Sequence, residues 1–180
     1  LFTLWFSLND VNPGSLATDF IGLKNYTEIL TTDAFWNSLK ITLYFSLMSV
    51  VVQIVLGTLA SMLLNQNFKG RGFVRGIMLI PWAVPTIVNA NLWKWIFNAN
   101  AGILNKVLLK LHLINENVVW LGNGKLAINM IILSDTWKML PLVIIMLLAG
   151  LQTVSNDVKE ASIIDGANAW QRFKTVYFPA

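Results

Sequence analysis

Long apolar runs separated by short polar segments dominate the pattern of this 180-residue chain. The runs cover residues 39–64, 76–97 and 126–151, and crossing a bilayer as a helix takes about 20 residues. Helices are predicted because hydrocarbon offers no partner to backbone N–H and C=O groups. The pattern therefore predicts three full spans in an all-α, polytopic membrane helix bundle. Pro81 and Pro85 are expected to kink or break the second span.

The segments between the runs complete the predicted organisation. Residues 1–8 are apolar but too short to cross, so we interpret them as the end of a truncated first transmembrane helix. Residues 9–38 are predicted to be a loop. Residues 98–125 are predicted to be a second loop, in which apolar residues at helical spacing over residues 103–111 predict a short amphipathic helix. That helix could lie on the membrane interface or pack against neighbouring helices.

Loop charges predict which side of the membrane each loop faces. Residues 65–75 carry three basic residues and no acid, which is typical of a cytoplasmic loop. Residues 9–38 carry four acids against one lysine, which favours the external side. Successive crossings then place residues 98–125 outside and residues 152–180 in the cytoplasm, although the 98–125 loop is itself basic.

Composition narrows the classes of function. The chain is 56% hydrophobic and 12% charged, whereas a soluble domain carries about 25% charged residues. It has no cysteine and a single histidine, His112, which excludes disulfides, cysteine nucleophiles and multi-histidine metal sites. The net charge of +4 is too dispersed to predict nucleic-acid binding. The sequence has no Walker A pattern, so it does not predict ATP binding by this chain.

Polar side chains inside the predicted spans are candidates for a solute path, because such groups are costly in hydrocarbon and usually face protein or water. The candidates are Asn89, Asn91 and Trp93 in the second span and Asp135 and Lys138 in the third. Gln53 in the first span is similar. The alternative, which we favour for the charged residues, is a mutual ion pair between Asp135 and Lys138, or a Lys138 that extends towards the interface. The asparagines could equally join helices to one another.

The polar segment that ends the chain carries the most specific pattern. It reads KEASIIDG over Lys159–Gly166, and VYFP over residues 176–179. Asp157 is expected to cap a helix with Glu160 as its capping-box partner, and that helix should end at Ile164 or Asp165. Gly166 permits a tight turn, and a second short helix is predicted over residues 169–177. The product is a helix-turn-helix projection.

This segment resembles the cytoplasmic docking loop of ABC-importer permeases, whose pattern is Glu-Ala-Ala, three residues, Gly, nine residues and Ile-x-Leu-Pro. The matching positions are Glu160, Ala161, Gly166 and Pro179, and the departures are Ser162, Val176 and Phe178. Further motifs similar to those of carbohydrate-type permeases are FIGLKNY at 20–26, FKGRGF at 68–73, PWxxP at 81–85 and WKxxP at 137–141. The likeness extends over nearly the whole chain.

The resemblance implies a type I ABC importer permease fold, with residues 39–180 as an incomplete transmembrane domain in the prokaryotic plasma (inner) membrane. It implies a translocation path for a sugar or sugar derivative, driven by a separate ATPase that docks on residues 157–179. The docking residues it implies are Glu160, Ala161, Ser162, Ile163, Asp165, Gly166 and Pro179.

The partners implied by the resemblance are ATP-binding cassette ATPase subunits, a second and different permease subunit, an extracytoplasmic solute-binding protein, a sugar-like solute and membrane lipid. Nucleic acid is not among them. The chain itself is expected to bind no cofactor, because ATP is used by the partner ATPase.

Three alternatives remain open at this point. The chain could be an ABC permease for a non-sugar solute, or a scaffold subunit that transports nothing. An intramembrane enzyme is disfavoured by the lack of cysteine and of Gly-x-Ser-x-Gly and His-Glu-x-x-His patterns.

Overall fold

The computed structural model describes residues 2–11 and 18–178, most of which are helical. The chain divides into two compact units, Leu1–Ser46 and Leu47–Ala180. In chain order the elements are α1 (Phe2–Ser7), β1 (Asn9–Val11), β2 (Thr18–Phe20), α2 (Lys24–Thr31), α3 (Asp33–Leu64), α4 (Arg71–Met78), α5 (Ile80–Ala83), α6 (Thr86–Ile96), α7 (Ile103–Lys110), α8 (Gly124–Thr153), α9 (Asn156–Ile164), α10 (Ala169–Arg172) and a π-helical turn (Phe173–Tyr177). The helical class predicted from the sequence is confirmed.

The first unit contains a small antiparallel ribbon that the hydrophobic pattern does not predict. In it β1 pairs with β2, and Asn9 lies opposite Phe20. Gly22 then adopts a left-handed conformation with a φ of +59°, which turns the chain into α2. The side-chain amide of Asn25 donates to the carbonyls of Ser7 (3.0 Å) and Asn9 (3.3 Å). Two residues of the FIGLKNY motif therefore have structural roles: Gly22 forms the turn before α2, and Asn25 links α2 to the ribbon.

Two helices in the described ranges, α3 and α8, are each long and apolar enough to cross a membrane. They contain the predicted spans 39–64 and 126–151 and extend beyond them. The largest difference is at the start of α3, because the helix begins at Asp33, before the apolar run does. A carboxylate in the first turn is favourable there, since it faces the positive end of the helix dipole.

The second predicted span is a bent pair of helices. Arg71–Ala83 and Thr86–Ile96 meet at 92°, so the chain crosses a third time only if both halves form one span. The bend lies at Pro85, because a proline disfavours helical geometry in the residue before it, and Val84 is accordingly extended with a ψ of 126°. Pro81 lies in the first turn of α5, where a proline is tolerated. The predicted break is thus confirmed, and Pro85 is its cause.

Helices α3 and α8 run in the same direction within the second unit. Successive contacts along α3 join Gln53 to Asp135, Gly57 to Val143, and Leu64 to Ile144 and Leu148. Both sets of positions increase together, so the C-terminal ends of the two helices lie on the same side of the pair. The chain must therefore return between α3 and α8, and the bent pair lies in that segment.

At Gly57, helix α3 lies close against α8. A Cβ atom at this position would lie 2.8 Å from Cγ1 of Val143 and 3.3 Å from Cδ1 of Leu147. Valine is stiff at χ1 and cannot move aside easily. We expect Gly57→Ala to lower the free energy of unfolding by about 1–3 kcal/mol through overpacking. Thermal unfolding of the full-length permease in detergent would measure the change.

The matched control is Gly150→Ala. Gly150 lies in α8, and a Cβ atom there would meet nothing within 4 Å. Since alanine is the better helix former, this variant should unfold at the same or a slightly higher temperature. Equal destabilisation by both substitutions would contradict the close approach.

A single side chain organises the segment between α6 and α8. Asn105 in α7 is only 1% exposed. It makes four hydrogen bonds: its Nδ2 donates to the carbonyls of Ala99 (2.9 Å) and Val118 (3.0 Å), and its Oδ1 accepts from Val118 N (3.3 Å) and Trp120 Nε1 (2.8 Å). The amide uses both donors and both lone pairs. The predicted amphipathic helix is present, and it is held by this asparagine.

Candidate functional site

Helix α9 follows α8 after a connection of two residues, Val154 and Ser155. Ser155 is the N-cap, because its hydroxyl accepts from the backbone N–H of Val158 at 3.4 Å. The predicted cap at Asp157 is therefore wrong: that carboxylate lies in the first turn, where it faces the positive end of the helix dipole. The helix ends at Ile164, which is the first of the two ends predicted, Ile164 or Asp165.

Gly166 closes α9 with a complete Schellman motif. Its φ is +73°, and its N–H donates to the carbonyl of Ile163 at 3.0 Å. The N–H of Ala167 donates to the carbonyl of Ser162, also at 3.0 Å. Left-handed geometry at this position favours glycine, and the two bonds satisfy carbonyls that the helix end would leave unpaired. The tight turn predicted for Gly166 is thus present.

A second capped helix follows the turn. The backbone N–H of Asn168 donates to Oε1 of Gln171 (2.8 Å), and the N–H of Gln171 donates to Oδ1 of Asn168 (2.9 Å). This reciprocal capping box starts α10, which continues as the π-helical turn to Tyr177. The extent predicted for this helix is confirmed, with π geometry in its second half. Pro179 lies outside the described residues.

The surface of α9 combines acidic and apolar side chains. Glu160, Ala161 and Asp165 are exposed, whereas Ser162 is half-buried. Ile163 is 57% exposed and Ile164 is 85% exposed. Exposed large apolar side chains on a helix that is capped at both ends are typical of a protein-protein contact.

The polar residues of α8 contact two different helices. Asp135 accepts a hydrogen bond from Nε2 of Gln53 on α3 at 3.0 Å. Lys138 donates to the hydroxyl of Thr86 on α6. Asp135 and Lys138 do not form the predicted ion pair; the ion pair found within the described ranges is Lys24–Glu28. Each charged group instead joins α8 to a neighbouring helix.

Three buried polar atoms lie on α6 and α8, which pack against each other. They are Oδ1 of Asn89, Nε1 of Trp93 and Oγ1 of Thr136, and none has a hydrogen-bond partner in the part of the chain that the structure describes. Asn89 is 6% exposed and Thr136 is 4% exposed. The indole ring of Trp93 meets that of Trp137 edge to face, with centroids 5.9 Å apart. An acceptor, a donor, a hydroxyl and two aromatic rings thus belong to one helix pair.

The structure brings together some of the predicted path residues and not others. Asn89 and Trp93 on α6 belong to the α6–α8 pair, and so does Lys138 on α8, which bonds to Thr86 of α6. Asn91 is exposed, and its amide donates to the carbonyl of Ile87 (3.0 Å) in the preceding turn. Thr86 and Thr136 were missed from the sequence, since a lone threonine in an apolar run gives no distinguishing signal.

Side chains that could bind a metal ion do not cluster in the described ranges. These ranges contain no group of three or more His, Cys, Asp or Glu side chains that could hold a metal ion. The polar groups that α6 and α8 offer are amide, hydroxyl, indole, carboxylate and ammonium groups. These groups suit hydrogen bonding to a polar solute.

Comparison with known proteins identifies the family. The model of the "Binding-protein-dependent transport system inner membrane component" family matches residues 53–180. The chain is 40% identical to the trehalose/maltose transport system permease protein MalF of Thermococcus litoralis, over 98% of this chain and 59% of that protein. It is 32% identical to the sn-glycerol-3-phosphate transport system permease protein UgpA of Agrobacterium fabrum, over 91% of this chain and 55% of that one.

A solved structure has the same fold. It is the crystal structure of a bacterial ABC transporter involved in the import of the acidic polysaccharide alginate, with a TM-score of 0.78. Its sequence is 23% identical, and the match covers 89% of this chain and 56% of that one. The chain thus spans less than two thirds of the length of these relatives. It belongs to the binding-protein-dependent transport system inner membrane component family and has the type I ABC importer permease fold.

Proposed function

We propose that this chain is part of the membrane-spanning subunit of an ATP-driven importer that works with a solute-binding protein. The observation that carries the proposal is the capped helix-turn-helix formed by α9, Gly166 and α10, directly after the apolar helix α8. The chain forms the translocation path and hydrolyses nothing itself. It binds no cofactor, because a separate ATP-binding cassette ATPase uses the ATP.

The projection couples the ATPase to the spans. Residues 160–164 sit in a groove of the ATPase, where exposed Ile163 and Ile164 provide apolar contacts and the small Ala161 permits close approach. Gly166 fixes the turn, and Ser162, Asp165 and Pro179 complete the contact. Because only Val154 and Ser155 separate α9 from α8, a displacement of α9 passes to α8 with little loss.

The solute is a sugar or sugar derivative. The permeases most informative in this respect are named for trehalose and maltose and for glycerol-3-phosphate. Unpartnered polar atoms on Asn89, Trp93 and Thr136 can exchange hydrogen bonds with hydroxyl groups, while indole rings suit the C–H faces of a sugar ring. Asp135 and Lys138 lie on the same path. Their hydrogen bonds to Gln53 and Thr86 can be replaced by hydrogen bonds to a passing solute.

The orientation in the prokaryotic plasma membrane follows from loop charge. Residues 65–75 and 152–180 are cytoplasmic, and residues 9–38 and 98–125 are external. The parallel course of α3 and α8 supports a common side for the first two segments. On the external side the partner is a solute-binding protein, as in the alginate transporter solved with a pentasaccharide-bound periplasmic protein. A second, different permease subunit completes the path.

Uptake in cells that lack the complete gene tests the function. Deletion should abolish uptake of radiolabelled trehalose, maltose or glycerol-3-phosphate, and the restored gene should return it. Loss of uptake of a different solute would establish an ABC permease for a non-sugar. Unchanged uptake of every solute, with the binding protein and ATPase present, would instead favour a scaffold subunit and contradict the proposal.

Two asparagines one half-turn apart provide a matched test of the path. Oδ1 of Asn89 is buried without a described partner, so Asn89→Leu removes an unsatisfied acceptor and should not destabilise the fold. We expect this variant to lose solute affinity by roughly tenfold, the effect of about one lost hydrogen bond. Asn91→Leu, at an exposed position, should stay near wild type. Initial uptake rates over a range of solute concentrations would separate KM from maximal rate, and equal effects would contradict the assignment.

A further inference from the structure

One surface of the second unit belongs neither to the proposed path nor to the docking loop. Phe73, Ile77 and Ile80 are 74%, 48% and 59% exposed, respectively. Their spacing puts them on one side of the α4–α5 segment. Met78, on the opposite side, packs against the buried cluster that contains Leu64. We name the exposed row of Phe73, Ile77 and Ile80 the α4 face.

Three cations lie at the start of this segment, next to the end of a membrane-spanning helix. Arg75 donates from Nη2 to the carbonyl of Leu64, the last residue of α3, at 3.0 Å. Its guanidinium therefore lies where α3 ends. Arg71 donates to Oδ1 of Asn67 at 3.3 Å, and Lys69 is exposed. All three cations thus follow α3 within eleven residues, and the guanidinium of Arg75 lies at the C-terminal end of that helix.

Within the described ranges no carboxylate forms an ion pair with these cations. The sequence contains no Asp or Glu between Asp33 and Glu116. The ion pair found among residues 2–11 and 18–178 is Lys24–Glu28, and it involves none of Lys69, Arg71 and Arg75. Three like charges within seven residues repel one another unless an anion from outside the chain approaches them.

We propose that this segment is a binding surface for anionic phospholipid in the leaflet where α3 ends. The α4 face lies among the acyl chains, and Lys69 and Arg71 bind headgroup phosphates. An amphipathic segment with an exposed apolar row and adjacent cations fits an anionic membrane interface. Guanidinium and ammonium groups form charge-assisted hydrogen bonds with phosphate. An anionic lipid is favoured over a zwitterionic one because its headgroup has no cation of its own to repel these side chains. Arg75 is held by Leu64 and adds positive potential without needing direct contact.

Photolabelling by lipid tests the proposal on the full-length permease in nanodiscs. Photoactivatable phosphatidylglycerol and phosphatidylcholine with the same acyl chains would be compared, and labelled peptides mapped by mass spectrometry. Phosphatidylglycerol should label residues 68–82 several-fold more. Lys69→Gln with Arg71→Gln should remove most of this excess, since one cation near an anionic surface changes binding by roughly fivefold. Lys69→Arg with Arg71→Lys should keep it.

The control pair is Lys106→Gln with Lys110→Gln, exposed cations of α7, which should leave labelling of residues 68–82 unchanged. Raising the salt concentration should reduce the preference of the unmutated protein for phosphatidylglycerol. This measurement does not depend on the folding of any variant. Equal labelling by both lipids, or a preference insensitive to both salt and charge removal, would overturn the proposal. Protection from both lipids, with crosslinks from this segment to another protein, would overturn it in favour of a protein partner.

Discussion

Gly166→Pro should reduce solute uptake by roughly 100-fold while the permease still inserts in the membrane. Proline fixes φ near −65° and has no N–H, whereas Gly166 needs a φ of +73° and donates to Ile163. A loss of about 3 kcal/mol at the turn shifts the population away from the docking-competent geometry by roughly two powers of ten. Uptake rates normalised to the amount of permease in membranes would measure the effect.

The matched control at the same position is Gly166→Asn. Asparagine keeps the N–H donor and enters the left-handed region more easily than other non-glycine residues. Its uptake should stay within roughly threefold of the unmutated protein. If the proline variant transports normally at normal abundance, Gly166 does not shape a coupling contact. If both variants fail equally, the left-handed turn is not the relevant feature.

Asn105→Ala should have the largest effect on stability. The substitution removes four hydrogen bonds and leaves Trp120 Nε1 and the backbone groups of Val118 and Ala99 without their partner. Since Asn105 is buried, those groups lose their bonds without full access to water. We expect the free energy of unfolding to fall by about 3–5 kcal/mol. Chemical unfolding and hydrogen exchange of the Val118 amide would measure the loss.

The neighbouring Lys106→Ala serves as the control for that experiment. Lys106 is exposed and lies in the same helix, so its truncation should change stability by less than about 0.5 kcal/mol. Fast exchange at Val118 in the Asn105 variant alone would support the asparagine as the organiser of this loop. A change below about 1 kcal/mol for Asn105→Ala would contradict it, because that is the net worth of a single ordinary hydrogen bond.

The long helices could be predicted from the sequence because their signal is local and repeated. Each span is set by a run of apolar residues, and Pro85 marks the break through its effect on the residue before it. The ribbon of β1 and β2 could not be predicted, because its strands have three residues each and show no clear alternation. Its position depends on Asn25, which bonds to backbone groups far along the chain.

The candidate site was predictable where residues act on their own helix and less so where they act across helices. Gly166 was predicted because its turn uses only local bonds. The cap was assigned to Asp157 instead of Ser155, since both residues are good caps and the sequence alone does not fix the first turn. The partners of Asp135 and Lys138 are 82 and 52 residues away, so a spacing rule for a single helix led to the wrong pairing.

The central claim, that this chain couples to an ATPase through α9, can be tested by a single crosslink. The chain has no cysteine, so one can be placed at Ala161, which is exposed on α9. A second would be placed in the groove of the co-expressed ATPase, and crosslinking in membranes compared with and without ATP. We predict a crosslink whose yield changes with ATP. No crosslink under either condition, with both proteins present in the membrane, would contradict the coupling role.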